Sequence, residues 1–230
     1  SCLVGSEMCI RDRGGGERGL FSRGMDTISI PPDPRKDTMA SSLLTDLREL
    51  VIDEAEPLSG LLRKCLLLGA ETGSQGLREW ARFELKGYPD GAEVPAYRSI
   101  HAGMTISYVS GYNVVSGQSW SWLNLPAEAR EIVPEQLTLR SPLAELEQMA
   151  TQEAVQFGSG RLSAALQILN STLPFGQEAH ELAYSVPGAT LAGIVDGIRT
   201  SLVELVADLT ADTPLGELPS RAAVDAALSD

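Results

Sequence analysis

Between residues 42 and 54, apolar side chains recur at Leu43, Leu44, Leu47, Leu50 and Val51. That is the three- and four-residue spacing of one helix face, and Ser41 or Ser42 stands where it can cap the first free amides. Pro57 sits where a second helix would begin, a favoured place because proline's missing N–H would have no intrahelical partner there. Leu58, Leu61, Leu62, Cys65 and Leu66 form the apolar stripe of that helix, Arg63 and Lys64 turn outward, and Gly73 stops it. A third helix is predicted over Gln75–Lys86, with Leu77, Trp80, Ala81 and Leu85 on one face and Gly87 as its C-terminal stop. Three short helices with tight connections predict a small antiparallel bundle.

The period then changes. Pro89, Asp90 and Gly91 make a turn signal, and residues 97–122 are rich in Tyr, Ser, Val, Ile and Trp. Met104, Ile106 and Tyr108 alternate with Thr105 and Ser107, which predicts strands. Gly111 and Gly117 divide the stretch into a hairpin or small meander, expected to lean on the helices because an isolated hairpin is marginal. Trp120 and Trp122 flank Ser121 and are expected on one strand face, covering a helix or forming a binding platform.

Helical character returns after Pro126, over Ala127–Ile132. Ser141 and Pro142 open a further helix as N-cap and first helical residue, with Glu145 in the first turn and Leu143, Leu146, Met149 and Ala150 facing inward. Another helical piece covers residues 162–169. Residues 171–188 read as an irregular connection around Pro174 and Gly176, followed by Glu178 to Tyr184. The strongest periodicity comes last, with Leu191, Ile194, Val195, Ile198, Leu202, Leu205, Val206 and Leu209 on one face of a helix of about 20 residues. Asp196 and Arg199, three apart, are expected to pair along it. The fold class that results is α+β and mostly helical: an N-terminal three-helix bundle, a small antiparallel β-hairpin or meander, and a long C-terminal helix.

The ends follow no apolar period. Residues 1–38 carry six basic and six acidic groups, Gly14 to Gly16, and Pro31, Pro32 and Pro34, and are expected as a disordered tail. The opening SCLVGSEMCIRDR resembles translated read-through of a sequencing adapter, which makes Met39 the expected start and Met25 a longer alternative. The expected organisation is one domain over 39–212 and a flexible tail over 213–230.

Because the first 38 residues balance, the net charge of −13 falls entirely on the remainder. An acidic surface disfavours a nucleic-acid partner, since phosphate binding needs a local excess of Lys and Arg. No apolar run is long enough to span a bilayer. With Cys2 and Cys9 in the tail, Cys65 is left as a small buried hydrophobe without a disulfide partner, which fits a reducing cytoplasm.

Chemical motifs are few. The two histidines, His101 and His180, lie far apart, and neither HExxH, a CxxC pair nor an acidic calcium loop occurs, so no metal and no cofactor is expected. Gly69 to Gly73 lacks the lysine and the preceding strand of a phosphate loop, and residues 158–160 (Gly-Ser-Gly) read as an ordinary loop. A GxSxG nucleophile elbow is missing too. The one unusual polar grouping is Arg78, Trp80, Arg82, Glu84, Tyr88, Tyr97 and Arg98. As a site, it would offer arginines, a carboxylate and phenols to an anionic ligand. As structure, Trp80 is core, Glu84 pairs with an arginine at the surface, and the two tyrosines lock helix to sheet. The structural reading is favoured because ion pairs outnumber sites.

Residues 42–98, SLLTDLRELVIDEAEPLSGLLRKCLLLGAETGSQGLREWARFELKGYPDGAEVPAYR, resemble the start of the AbiTii domain, named after a lactococcal abortive-infection protein. The family's WxxxELxGY-like string is matched by Trp80, Glu84, Leu85, Gly87 and Tyr88, and its PxYR string by Pro95 to Arg98. Leu125-Pro126, SPLAELE (141–147) and GIVDGIRTSLVELVADL (193–209) look like its later parts, so the resemblance covers about residues 41–212. It implies a bacterial, cytoplasmic protein of phage resistance and carries over no catalytic residues. Family members often continue into a further segment, which leaves truncation after Asp230 open. The expected function is an interaction or sensor module that is more readily a non-enzyme, with a protein partner or self-association through the long helix. A toxin-like enzyme, a nuclease or nucleotide hydrolase acting at Glu84 and Arg98, is one alternative. A helical scaffold unrelated to defence is another.

Overall fold

The computed structural model describes residues 43–214 and 217–228. The expected tail over 1–38, with Cys2 and Cys9, lies outside the described residues.

Helix α1 occupies residues 43–50 and ends short of the predicted Glu54. Asp53 turns the chain there by accepting the amide of Ala55. Helices α2 (Leu58–Thr72) and α3 (Gln75–Lys86) follow as a hairpin, with Gly73 left-handed at φ 76° between them. The side chain of Ser74 caps α3 by accepting the Leu77 amide. After a 3-10 turn at Ala96–Arg98 come β1 (Ser99–His101), β2 (Gly103–Ser110) and β3 (Asn113–Trp120). The chain continues through α4 (Ala127–Ile132), β4 (Gln136–Thr138), α5 (Leu143–Ala150), β5 (Ala154–Phe157), α6 (Gly160–Thr172), β6 (Gln177–Pro187), α7 (Gly188–Asp212) and α8 (Arg221–Ala227). The architecture is α+β and mostly helical, with the long helix near the C-terminus.

Two cores divide the work. In the helical core, Leu47, Leu61, Leu62, Leu77, Leu146, Ile198 and Leu202 join α1, α2, α3, α5 and α7, and Val224 of α8 is part of it. In the second core, Met104, Ile106, Leu182 and Tyr184 on one sheet face meet Ala129 of α4 and Leu162, Ala165 and Leu169 of α6.

The predicted hairpin is present as β2 and β3, but it belongs to a larger antiparallel sheet ordered β3-β2-β6-β5, and β1 pairs separately with β4. Strand β6, where the pattern suggests only a connection, is the sheet's second inner strand. Its apolar residues do not alternate cleanly, because Leu182, Ala183 and Tyr184 are buried in succession and the buried Ala179 stands three residues before Leu182. A bulge adds to the irregularity: Ser107 pairs with Glu181 and Tyr108 with Ala179, which leaves His180 out of register. The opposite neighbour slips too, at Gly117, whose φ is 63°. The buried Ser107 hydroxyl ties both slips together, donating to Glu181 (2.9 Å) and accepting from the Gly117 amide (3.0 Å).

Other expectations need correction. Trp120 and Trp122 do not share a strand: Trp122 begins a 3-10 turn, and its Nε1–H donates to the Val133 carbonyl. Arg199 does not pair with Asp196. Its guanidinium donates to the carbonyls of Asp53 and Glu56, fastening the α1–α2 connection to α7. Pro142, not Ser141, takes the N-cap of α5. Met149 and Ala150 are only half-buried. The segment expected as a flexible tail contains α8, with Val224 wholly buried and Asp225 accepting a 2.6 Å hydrogen bond from Ser74. Among the described residues, no helix is long and apolar enough to cross a membrane.

Candidate functional site

Helix α3 presents Glu84 toward the 3-10 turn that carries Tyr97 and Arg98, and Gly87 swings the chain so that Tyr88 returns over the same carboxylate. Gly87 is required for that path. Its φ is 87°, and a Cβ there would lie 2.8 Å from the Arg140 carbonyl oxygen.

Glu84 and Arg98 are both wholly buried. Arg98 Nη2 donates to Glu84 Oε2 at 2.6 Å, and its Nε spans both carboxylate oxygens at 3.3 and 3.2 Å. Nη1 donates to the carbonyls of Leu139 (3.1 Å) and Ser141 (2.8 Å), which lead into α5. Glu84 Oε1 also accepts the hydroxyls of Tyr88 (2.6 Å) and Tyr97 (2.7 Å). The Trp80 indole N–H donates to the Tyr97 oxygen at 3.0 Å. The guanidinium lies 4.9 Å from the centre of the Tyr88 ring, completing a cation–π contact. Burial, then the nearby Glu84 carboxylate, push both phenols above their ordinary range, so they stay protonated donors.

Five of the seven sequence candidates therefore meet: Trp80, Glu84, Tyr88, Tyr97 and Arg98. The other two do not. Arg78 is half-buried, with its stem packed on Gly69 of α2, and Arg82 is exposed. Neither is hydrogen-bonded to the cluster. The Glu84–arginine pair is also not the surface pair expected; it is a sealed one.

The electrostatics follow from this. A buried carboxylate needs its charge matched and its lone pairs filled, and here one guanidinium and two phenols do both. Arg98 spends its donors on Glu84 and two carbonyls, which leaves no open cation for an anionic ligand. The rings of Trp80 and Tyr97 do line a cavity of about 280 Å³, but the charged groups there are Glu204 and Asp208 of α7. The cluster ties α3, the 3-10 turn and the entry to α5 into one unit.

Sequence reasoning did not anticipate the partners on residues 139–141, because carbonyl acceptors carry no side-chain signature. It also missed Ser107, an unremarkable serine until two strands slip against it. His101, with Glu135 and Gln136 beside it, is exposed. Among the described residues, no group of three or more His, Cys, Asp or Glu side chains is placed to hold a metal ion. Cys65 is buried, which pushes its thiol up to about 12 and keeps it from acting as a nucleophile near neutrality.

Comparison with known families finds the AbiTii model matched over residues 42–228. No curated protein and no solved structure matches the chain.

Proposed function

Because the chain belongs to the AbiTii family, whose name points to abortive infection of phage-infected cells, we propose that it acts in antiphage defence as an interaction or sensor module. The observation that carries this reading is the tip of the β2–β3 hairpin. There Tyr112 is fully exposed, at 107%, and Val114 is 68% exposed; Phe175, in the neighbouring turn between α6 and β6, is exposed at 108%. A hydrogen bond from the Gly111 amide to the Gly176 carbonyl holds the two turns together. Large apolar side chains gathered at one end of a sheet cost solubility unless a partner covers them, so the occupant is a protein surface, from a second component or another copy of this chain. The unit assigned to this work extends beyond the expected 39–212 to include α8.

A toxin-like enzyme acting through Glu84 and Arg98 draws no support from the cluster's geometry, since every oxygen and most donors there are already engaged.

The test is a phage challenge of bacteria expressing the chain under graded induction, beside Tyr112→Ser/Phe175→Ser. Neither side chain packs on the core, so the variant is expected to keep its melting temperature and lose protection. Full protection by the folded double variant would refute a role for the tip. Protection lost on Glu84→Gln, with folding intact, would return the enzyme reading to the cluster.

A further inference from the structure

The sealed cluster at Glu84 leaves no open cation, but another part of the fold does. Strand β4, the end of β5 and the first turn of α6 enclose a cavity of about 620 Å³, within the range of small-molecule pockets. Arg140, from the loop between β4 and α5, and Arg161, from α6, both line it. Asp90 is the one acidic side chain of the lining, so the walls carry a positive excess in a chain of net −13.

The two guanidiniums are held differently. Arg140 Nη1 donates to the carbonyls of Pro89 (2.7 Å) and Ala92 (3.2 Å), which fixes the plane of the group. Its Nε and Nη2 have no hydrogen-bond partner among the described residues, and neither is sealed from solvent. Arg161 is exposed and makes no hydrogen bond or ion pair among the described residues, although Glu131 lines a neighbouring hollow with it. Its charge reaches inward all the same: burial raises the Tyr184 phenol of the same lining, and Arg161 opposes that rise. Elsewhere Arg98 is engaged by Glu84, Arg199 by two carbonyls and Arg221 by Asp225.

A guanidinium edge offers paired N–H groups that match two oxygens of one oxyanion, and a dianion can serve two guanidiniums together. Leu137 and Phe157, both half-buried in the same lining, give an apolar wall for whatever carries that anion.

We propose that this cavity binds a phosphate monoester, with its phosphate held by Arg140 and Arg161 and its organic group against Phe157 and Leu137. The site uses none of the residues of the hairpin tip and does not depend on the partner-binding role proposed there.

Phenyl phosphate tests it on the full chain at pH 7, beside inorganic phosphate, which lacks the ring, and phenol, which lacks the anion. Binding is followed by calorimetry and by the guanidinium Nε–H resonances, with Arg140 and Arg161 assigned through Arg140→Lys and Arg161→Gln. The expected result is a saturable movement of both resonances with phenyl phosphate and none with phenol. Phenyl phosphate should bind about fivefold tighter than inorganic phosphate, because the ring leaves water. Arg161→Gln replaces an exposed, unpaired side chain, so it should keep its melting temperature. It should bind phenyl phosphate about tenfold more weakly, the loss of one charge-assisted hydrogen bond. Arg82→Gln, which removes an exposed arginine outside the cavity, should bind as the unaltered chain does. Absence of saturable movement, inorganic phosphate or phenol binding as tightly as phenyl phosphate, or equal losses in Arg161→Gln and Arg82→Gln would overturn the proposal.

Discussion

Replacing Arg98 by methionine removes a buried cation while keeping most of the side chain's length. Glu84, wholly buried, would retain only the hydroxyls of Tyr88 and Tyr97, and the Leu139 and Ser141 carbonyls would lose their donors. Breaking a buried ion pair from one side costs about 3–5 kcal/mol, because the remaining charge stays in a medium that solvates it poorly. For a domain of this size that corresponds to a fall in melting temperature of roughly 6–20 °C. It is a large share of the total stability of about 5–15 kcal/mol. Glu84→Gln strands the opposite charge, and its amide N–H₂ would face the guanidinium. The double variant Glu84→Gln/Arg98→Met buries no charge, so it should be more stable than Arg98→Met alone even though it carries one more substitution. Urea unfolding of the four proteins of this cycle gives the coupling directly. A cost below about 1 kcal/mol for Arg98→Met, or a double variant equal to the sum of the singles within about 0.5 kcal/mol, would refute the role of the pair as the latch between α3 and α5.

Four further outcomes are expected. Gly188→Ala should destabilise by about 1–3 kcal/mol, since a Cβ there would clash with the Gln152 carbonyl oxygen, and backbone cannot move aside as a flexible side chain can; a wild-type melting curve would contradict this. Burial raises the Cys65 thiol from 9.0 to about 12, so above pH 9 the unfolded chain gives up a proton that the native state keeps, and stability should fall as pH rises from 9 toward 12. Tyr88 and Tyr97, also raised, act with the same sign above pH 10, and in a Cys2→Ser/Cys9→Ser background the remaining thiol should react with a disulfide reagent only after unfolding. Val224→Ala should cost about 1.5–3 kcal/mol, read by urea midpoint, because that side chain is wholly buried between α8 and the helical core; a change near zero would return the C-terminal segment to a mere tail.

The helices were the most legible part of the chain. Gln75–Lys86 and Ala127–Ile132 are marked by their own caps, glycine and proline, and α7 by an unbroken apolar face from Leu191 to Leu209. Such signals are local, and a 3.6-residue period survives wherever the helix is placed. Strand β6 was hidden because its alternation is broken by burial on two sides and by the slip at His180. Strands β1, β4 and β5, of three or four residues each, are too short to show a period.

The cluster was half legible. Trp80, Glu84 and Tyr88 stand at helical spacing and Tyr97 and Arg98 a turn beyond, so the sequence by itself determined which polar groups are unusual and which helices carry them. Only the tertiary structure decided that Glu84 and Arg98 are sealed together rather than displayed, that Arg78 and Arg82 stand apart, and that Trp120 has a buried N–H facing no acceptor. The physical reason is range. Helix formation, capping and apolar periodicity act over a few residues, whereas burial of a charge or an unpaired donor depends on what arrives from 41 or 43 positions away, as the Leu139 and Ser141 carbonyls do at Arg98.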